Sequence, residues 1–346
     1  MFLPVCPPDE SVKQAALDRW DRLVKSPGAL GDLEDVGTWI AACQGVCPPR
    51  PLTRPRVVVF AGDHGVATRG ISVYPAEATA QALIMFVTGG GAVNVLAAAN
   101  GAALRIVDMA VAAETPVPDE VKRFKVRHGS GAVDQEDALT DNEVRLAVEA
   151  GRAIADQEVD AGTDVLIAGD LGIGNSTVAA ILVAALTGAE PTAVVGRGSG
   201  IDNETWIRKV AVVRDALCRA HAVRANPLAL LRTSASADIA AMAAFLAQAA
   251  VRRTPVLLDG AITTAAALVA ERLAPGARQW WLASHRSTEP SHQLALAQLG
   301  LKPLVDLKMR HGEGSGALIA LPLVAMATRM LAEMTTFKEA GITSHV

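Results

Sequence analysis

Along this chain, short runs of β-branched and other apolar residues alternate with long alanine-rich stretches of helical pattern. The short runs predict strands over 57–60, 104–107, 165–168, 193–195, 256–258 and 280–283. The long stretches predict helices over 76–99, 141–156, 176–186, 203–221, 237–251, 263–272 and 317–334. Strand and helix in alternation imply repeated βαβ units, and therefore an α/β fold built on a parallel sheet. Residues 1–45 are helical in pattern and poor in strand signal, so with the last helix they are expected to form a small helical appendage. Segments 48–55 and 114–134, rich in proline or charge without apolar periodicity, read as long loops. There is no internal repeat and no low-complexity tract.

The turns after the strands carry the chemistry. Nearly every predicted strand runs into glycine or a small polar residue: Gly62-Asp63-His64-Gly65, Gly169-Asp170, Gly196-Arg197-Gly198-Ser199-Gly200, Asp259-Gly260 and Ser284-His285. Ligands of open parallel sheets bind at the carboxyl ends of the strands, so these turns should converge on one site. Within Gly169-Asp170-Leu171-Gly172-Ile173-Gly174-Asn175-Ser176, a strand, a tight turn and a helix start follow one another. Gly172, Gly174, Asn175 and Ser176 can then present N–H groups to a phosphate at a helix N-terminus. The same spacing also suits a tight turn with no ligand. Gly198, Ser199 and Gly200 offer a second such turn before the helix that carries Lys209, a lysine that by itself reads more readily as a solvated helix residue than as a ligand contact. Asp259, ending a strand, could bind ribose hydroxyls or cap the helix after it. Far downstream, Met309-Arg310-His311-Gly312-Glu313-Gly314-Ser315-Gly316 sets one carboxylate between glycines just before a long apolar helix. Glu313 is a candidate catalytic base, or else an acid that favours the dipole of the following helix.

Composition then excludes several classes. With 346 residues, 51% of them hydrophobic, the chain can bury a large core. A formal net charge of −4 gives no basic surface for nucleic acid, and 3% aromatic residues are too few for a base-stacking platform. Small metabolites are the expected partners. Of the cysteines, only Cys43 and Cys47 are near each other, and no second Cys or His pair completes a zinc set, so no metal site is expected and the thiols read as free in a reducing cytosol. The N-terminus lacks the basic start and apolar core of a signal peptide. The apolar stretches near 235–251 and 316–331 read as core helices too short for a bilayer span, so no membrane association is expected.

Together the segments resemble one family. From Lys25-Ser26-Pro27-Gly28 through Gly62-Asp63-His64-Gly65, Tyr74-Pro75-Ala76-Glu77, Gly90-Gly91-Ala92, the Gly172 loop, Gly196 to Gly200, Leu258-Asp259-Gly260, Ser284-His285 with Glu289-Pro290, and Met309 to Gly316, the chain is similar to nicotinate-nucleotide:dimethylbenzimidazole phosphoribosyltransferases, which make the lower nucleotide loop of cobalamin. The likeness spans almost the whole chain in order. It implies a Rossmann-like, doubly wound, mostly parallel sheet over 46–305. It also implies a small helical domain from the chain ends, 1–45 and 306–346, the latter carrying the Glu313 loop.

The resemblance further implies transfer of phosphoribose from nicotinate mononucleotide to dimethylbenzimidazole or a related azole, without a cofactor, by a cytoplasmic homodimer. Glu313 is then the base. Gly172, Gly174, Asn175, Ser176, Gly198, Ser199, Gly200, Lys209 and Asp259 hold the phosphoribosyl group, and Ala76, Ile84, Asp170, Leu171 and His311 hold the azole. Four of these depart from the family pattern, which often has glutamate at Asp170, serine at Ala76, a polar residue at Ile84 and leucine at His311. A nucleotide glycosidase, a transferase with another acceptor base and a non-catalytic nucleotide-binding module remain as alternatives.

Overall fold

A computed structural model describes residues 2–343. Its centre is a parallel sheet of five strands: β1 (Pro55–Gly62), β2 (Ala103–Ala110), β3 (Val165–Leu171), β4 (Val256–Leu258) and β5 (Trp281–Ala283), in the order β2-β1-β3-β4-β5. The run Val57-Val58-Val59-Phe60 is fully buried because β1 lies between two strands, with Val57 opposite Leu104 on one side and Ile167 on the other. Alternate residues serve opposite layers, as the period of a strand requires. Val57, Val59, Val165 and Ile167 pack in one cluster with Val36, Ile40, Val93 and Leu321. Val58, Phe60, Leu166 and Ala168 face the other layer, with Ile154, Ile181 and Phe245. A sheet covered by helices on both faces is the doubly wound arrangement expected.

The chain steps from β1 out to β2 and then returns to the far side of β1 as β3. That reversal opens a crevice at the carboxyl ends of β1 and β3. The first two helices, Glu10–Arg22 and Asp32–Gln44, pack beside the long C-terminal helix Ser315–Glu333 through Ala16, Trp20, Ala41 and Leu331. Arg19 fastens the chain ends by donating to the carbonyls of Leu331 and Ala332 at 2.6 and 2.9 Å.

Several elements differ from the sequence expectation. The strand expected at 193–195 is instead a helical turn, Pro191–Val194, because Pro191 at its first position is preset to helical φ. The helix expected over 76–99 is two, Ala78–Val87 and Ala92–Ala99, separated by Gly89 at a φ of +90°. The loop over 114–134 contains the helical turn Asp119–Lys122. Helices Pro227–Ser234 and Pro290–Leu299 were not expected, although each begins with the same proline signal. By length and composition alone, the stretch Ala78–Ala99, broken at Gly89, and the continuous helix Ser315–Glu333 do reach the size of a bilayer span, contrary to the shorter apolar runs expected. The second is 56% buried against the rest of the fold.

Candidate active site

A cavity of about 760 Å³ opens at the carboxyl ends of the strands, lined by the turn after β3, the segments after β4 and β5, the 308–313 loop and one face of helix Ala78–Val87. Glu313 stands on three successive residues of left-handed backbone: Gly312 at φ +81°, Glu313 itself at +63° and Gly314 at +83°. For a residue with a Cβ this conformation costs on the order of 1–3 kcal/mol and persists only where the surroundings enforce it. Two constraints enforce it here. Asp259 accepts from the N–H of Gly314 at 3.1 Å and of Ala317 at 3.0 Å, pinning the start of the C-terminal helix. Gly169, near the end of β3, lets this loop lie directly on the strand, since a Cβ there would come 2.5 Å from the Glu313 carbonyl oxygen. So fixed, the Glu313 carboxylate accepts from the N–H of Val93 at 3.3 Å and lies 3.1 Å from His311 Nε2.

Asp170 lies beside this carboxylate. It is 4% exposed and accepts from Asn175 Nδ2 at 2.8 Å, while its other oxygen has no protein partner among the described residues. Burial, reinforced by the charges of Asp259, Glu313 and Asp238, holds its pKa well above the usual carboxylate range. His311 is displaced upward, first by its bond to Glu313.

The other end of the cavity is built for an anion. Helix Asn175–Thr187 points its N-terminus into it, and the turn that starts it is held by Ile173 N–H donating to Thr79 Oγ1 at 3.0 Å. Lys209, 2% exposed, reaches in from helix Asn203–His221 and donates to Ser176 Oγ at 2.9 Å. Burial pulls its pKa down while the nearby Glu289 opposes that. Glu289 in turn accepts from Gly198 N–H at 2.9 Å, fixing the second glycine turn over the lysine. A buried lysine, a hydroxyl and a helix N-terminus facing one space are the elements of a phosphate site.

The profile of a family described as phosphoribosyltransferase matches residues 5–342. The chain belongs to this phosphoribosyltransferase family. It is 59% identical over 343 residues to the nicotinate-nucleotide–dimethylbenzimidazole phosphoribosyltransferase of Mycobacterium ulcerans (strain Agy99), covering 99% of this chain and 96% of that protein. The protein of the same name from Mycobacterium tuberculosis (strain ATCC 25618 / H37Rv) is 58% identical over 343 residues, 99% of this chain and 95% of the other. Among solved structures, CobT from Thermus thermophilus superposes with a TM-score of 0.92 at 42% identity, covering 96% of this chain and 99% of that one.

In this phosphoribosyltransferase, Asp170, Leu171, Gly172, Gly174, Asn175, Ser176, Gly198, Ser199, Lys209, His311 and Glu313 all line the cavity. Four of the residues expected there lie outside its lining. Asp259 is fully buried behind the wall, its carboxylate given to the backbone of the Glu313 loop rather than left free for a ribose. Nor does it cap the helix that follows it. Gly200, at φ +99°, shapes the end of its turn. Ala76 precedes the helix and is exposed. Ile84 packs on the Leu83 and Val111 cluster, because the helix face turned to the cavity carries Ala78, Ala82 and Met85 at i, i+4 and i+7. Conversely, Glu289, Ser287 and His285 line the cavity without having been named as site residues. The segments Ser284-His285 and Glu289-Pro290, both part of the family likeness, were the available signal.

Proposed function

We propose that the protein transfers the phosphoribosyl group of nicotinate mononucleotide to 5,6-dimethylbenzimidazole, releasing nicotinate and α-ribazole 5′-phosphate for assembly of the cobalamin nucleotide loop. This makes it a pentosyltransferase, the activity in the names of its relatives. The single observation that carries the reading is the geometry of Glu313: one carboxylate, held in left-handed backbone, in the same cavity as the Lys209 phosphate cradle. Nicotinate leaves from a cationic pyridinium that becomes neutral, so its departure needs no strong acid. The azole attacks C1′ through one ring nitrogen and gives the proton of the other to Glu313, the one step that requires a base.

The site residues are those that line the cavity, with Asp259 as the support of the Glu313 loop. The chain ends act as one small unit carrying that loop, supported by the packing of Trp20 and Ala41 on Leu331. The working form is a homodimer in the cytoplasm. Support for pairing comes from Val73, Tyr74, Met85 and Val95, which are 40–64% exposed. The last two lie on the apolar stretch Ala78–Ala99, of which only 28% is buried. Support for the cytoplasm comes from four free cysteines.

The test is to incubate the protein with nicotinate mononucleotide, with and without dimethylbenzimidazole, and to identify products by mass. α-Ribazole phosphate with equimolar nicotinate is the expected result. Ribose phosphate and nicotinate formed equally without the azole would mean a glycosidase.

A further inference from the structure

Resting on the reading above, one question is how the proton leaves. The Glu313 side chain is 13% exposed, and an azole seated over it covers it further. A carboxyl group shut off from water must return its proton before the next turnover. His311, whose side chain is 55% exposed, touches it at 3.1 Å through Nε2. The residues that fix Glu313 fix this pair too, because Gly312, Glu313 and Gly314 curl the loop back so that a side chain two positions earlier meets the carboxylate. The second carboxylate oxygen is held by Val93 N–H, which leaves the histidine side as the outlet. Other titratable and charged groups around the pair are Asp170 on the lining beside it, Asp259 buried behind the wall, Lys308 and Arg310 on the same loop, and Lys209, Glu289 and His285 elsewhere on the lining.

We propose that His311 is the relay that carries the azole proton from Glu313 to solvent, a positioning residue acting through the catalytic base. In this scheme the resting pair is imidazolium and carboxylate, the pairing that the 3.1 Å contact of Nε2 with the carboxylate oxygen favours. When the azole nitrogen bonds to C1′, the C1′–pyridinium bond breaks with its electron pair going to the nicotinate nitrogen. The azole's other nitrogen then passes its proton to Glu313. With its anionic partner neutralised, the half-exposed imidazolium gives its Nε2 proton to water, keeping the one on Nδ1, and the bared Nε2 then takes up the proton on Glu313. The ion pair is restored and one proton has reached solvent.

The test is steady-state kinetics of His311→Asn, which keeps a hydrogen-bonding side chain but cannot relay a proton, with imidazole added to the assay. We expect kcat to fall at least about tenfold, less than for loss of the base itself. We expect the KM for nicotinate mononucleotide to be unchanged and kcat to be restored by imidazole. Glu313→Gln in the same assay should be inactive and unresponsive to imidazole. His311→Leu provides the same comparison if the asparagine variant does not fold. A kcat within about twofold of wild type, or a loss confined to the azole KM and indifferent to imidazole, overturns the relay. No product from the wild-type protein overturns the functional reading and the relay together, whereas an active wild type with an unaffected His311→Asn overturns the relay alone.

Discussion

Asp170 shows how one buried group can oppose stability and serve the site. Its carboxyl is buried among three other acids and its pKa is raised, so the folded state binds a proton that the unfolded chain releases near pH 4. Stability from this group is therefore greatest at low pH and is lost as pH rises from the unfolded value toward the raised folded value. Asp170→Asn removes that charge while keeping an acceptor for Asn175. The expected outcome is a higher melting temperature at neutral pH that shrinks toward pH 4, with lower turnover. A melting temperature below wild type at every pH would contradict this. The position was visible in sequence as a departure from the glutamate of the family. Its protonation was not, because Asp238 and Asp259 are brought beside it only by the fold. One side of the cavity is apolar at Ala78, Ala82, Met85 and Leu171, and on the proposed reading it receives the azole. One methyl in such a pocket is worth about 1–3 kcal/mol, so benzimidazole and its methylated forms should react with specificity constants within about a hundredfold of one another. Adenine, with ring nitrogens left unpaired, should lose a direct competition. Adenine winning it would mean that Asp170 or His311 recognises polar edges.

At the scale of elements, the site depends on backbones that approach closely. Gly169→Ala would drive a methyl into the Glu313 carbonyl, so the expected cost is about 1–3 kcal/mol of stability from overpacking. Turnover should fall more than nicotinate mononucleotide binding, since the base is displaced while the phosphate end is untouched. Denaturation and calorimetry on the same variant check both halves, and an unaltered kcat would show that the loop does not rely on this contact. The glycines of the turn after β3 were legible as a cradle, but their reasons were not. At Gly174 a Cβ would meet His64 and Val66, so glycine there serves the turn and the crossing from β1 rather than clearance for a ligand. The strand signals at β1 and β3 were legible because continuous apolar runs mark strands buried on both faces. The helical turn at 191–194 was misread because three small apolar residues fit either state, and the break at Gly89 because alanine-rich pattern continues on both sides of it.

For the whole molecule, strand order and convergence decide function, and neither is printed in local pattern. The sequence showed that turns after strands hold the chemistry; only the reversal between β1 and β3 explains why segments as distant as residues 72 and 313 share one cavity. The exposed apolar stretch predicts pairing. Light scattering should give twice the chain mass of 35.9 kDa, and Val95→Asp, at a residue 64% exposed, should return it to one chain without unfolding it. A wild-type protein that is monomeric at micromolar concentration would remove the homodimer. Whether Glu313 is the base of a phosphoribosyl transfer is decided by turnover of Glu313→Gln with nicotinate mononucleotide and dimethylbenzimidazole, alongside calorimetry of mononucleotide binding. Binding should be unchanged and turnover reduced at least ~100-fold, the lower range for loss of a general base. Turnover within a few-fold of wild type would contradict that role.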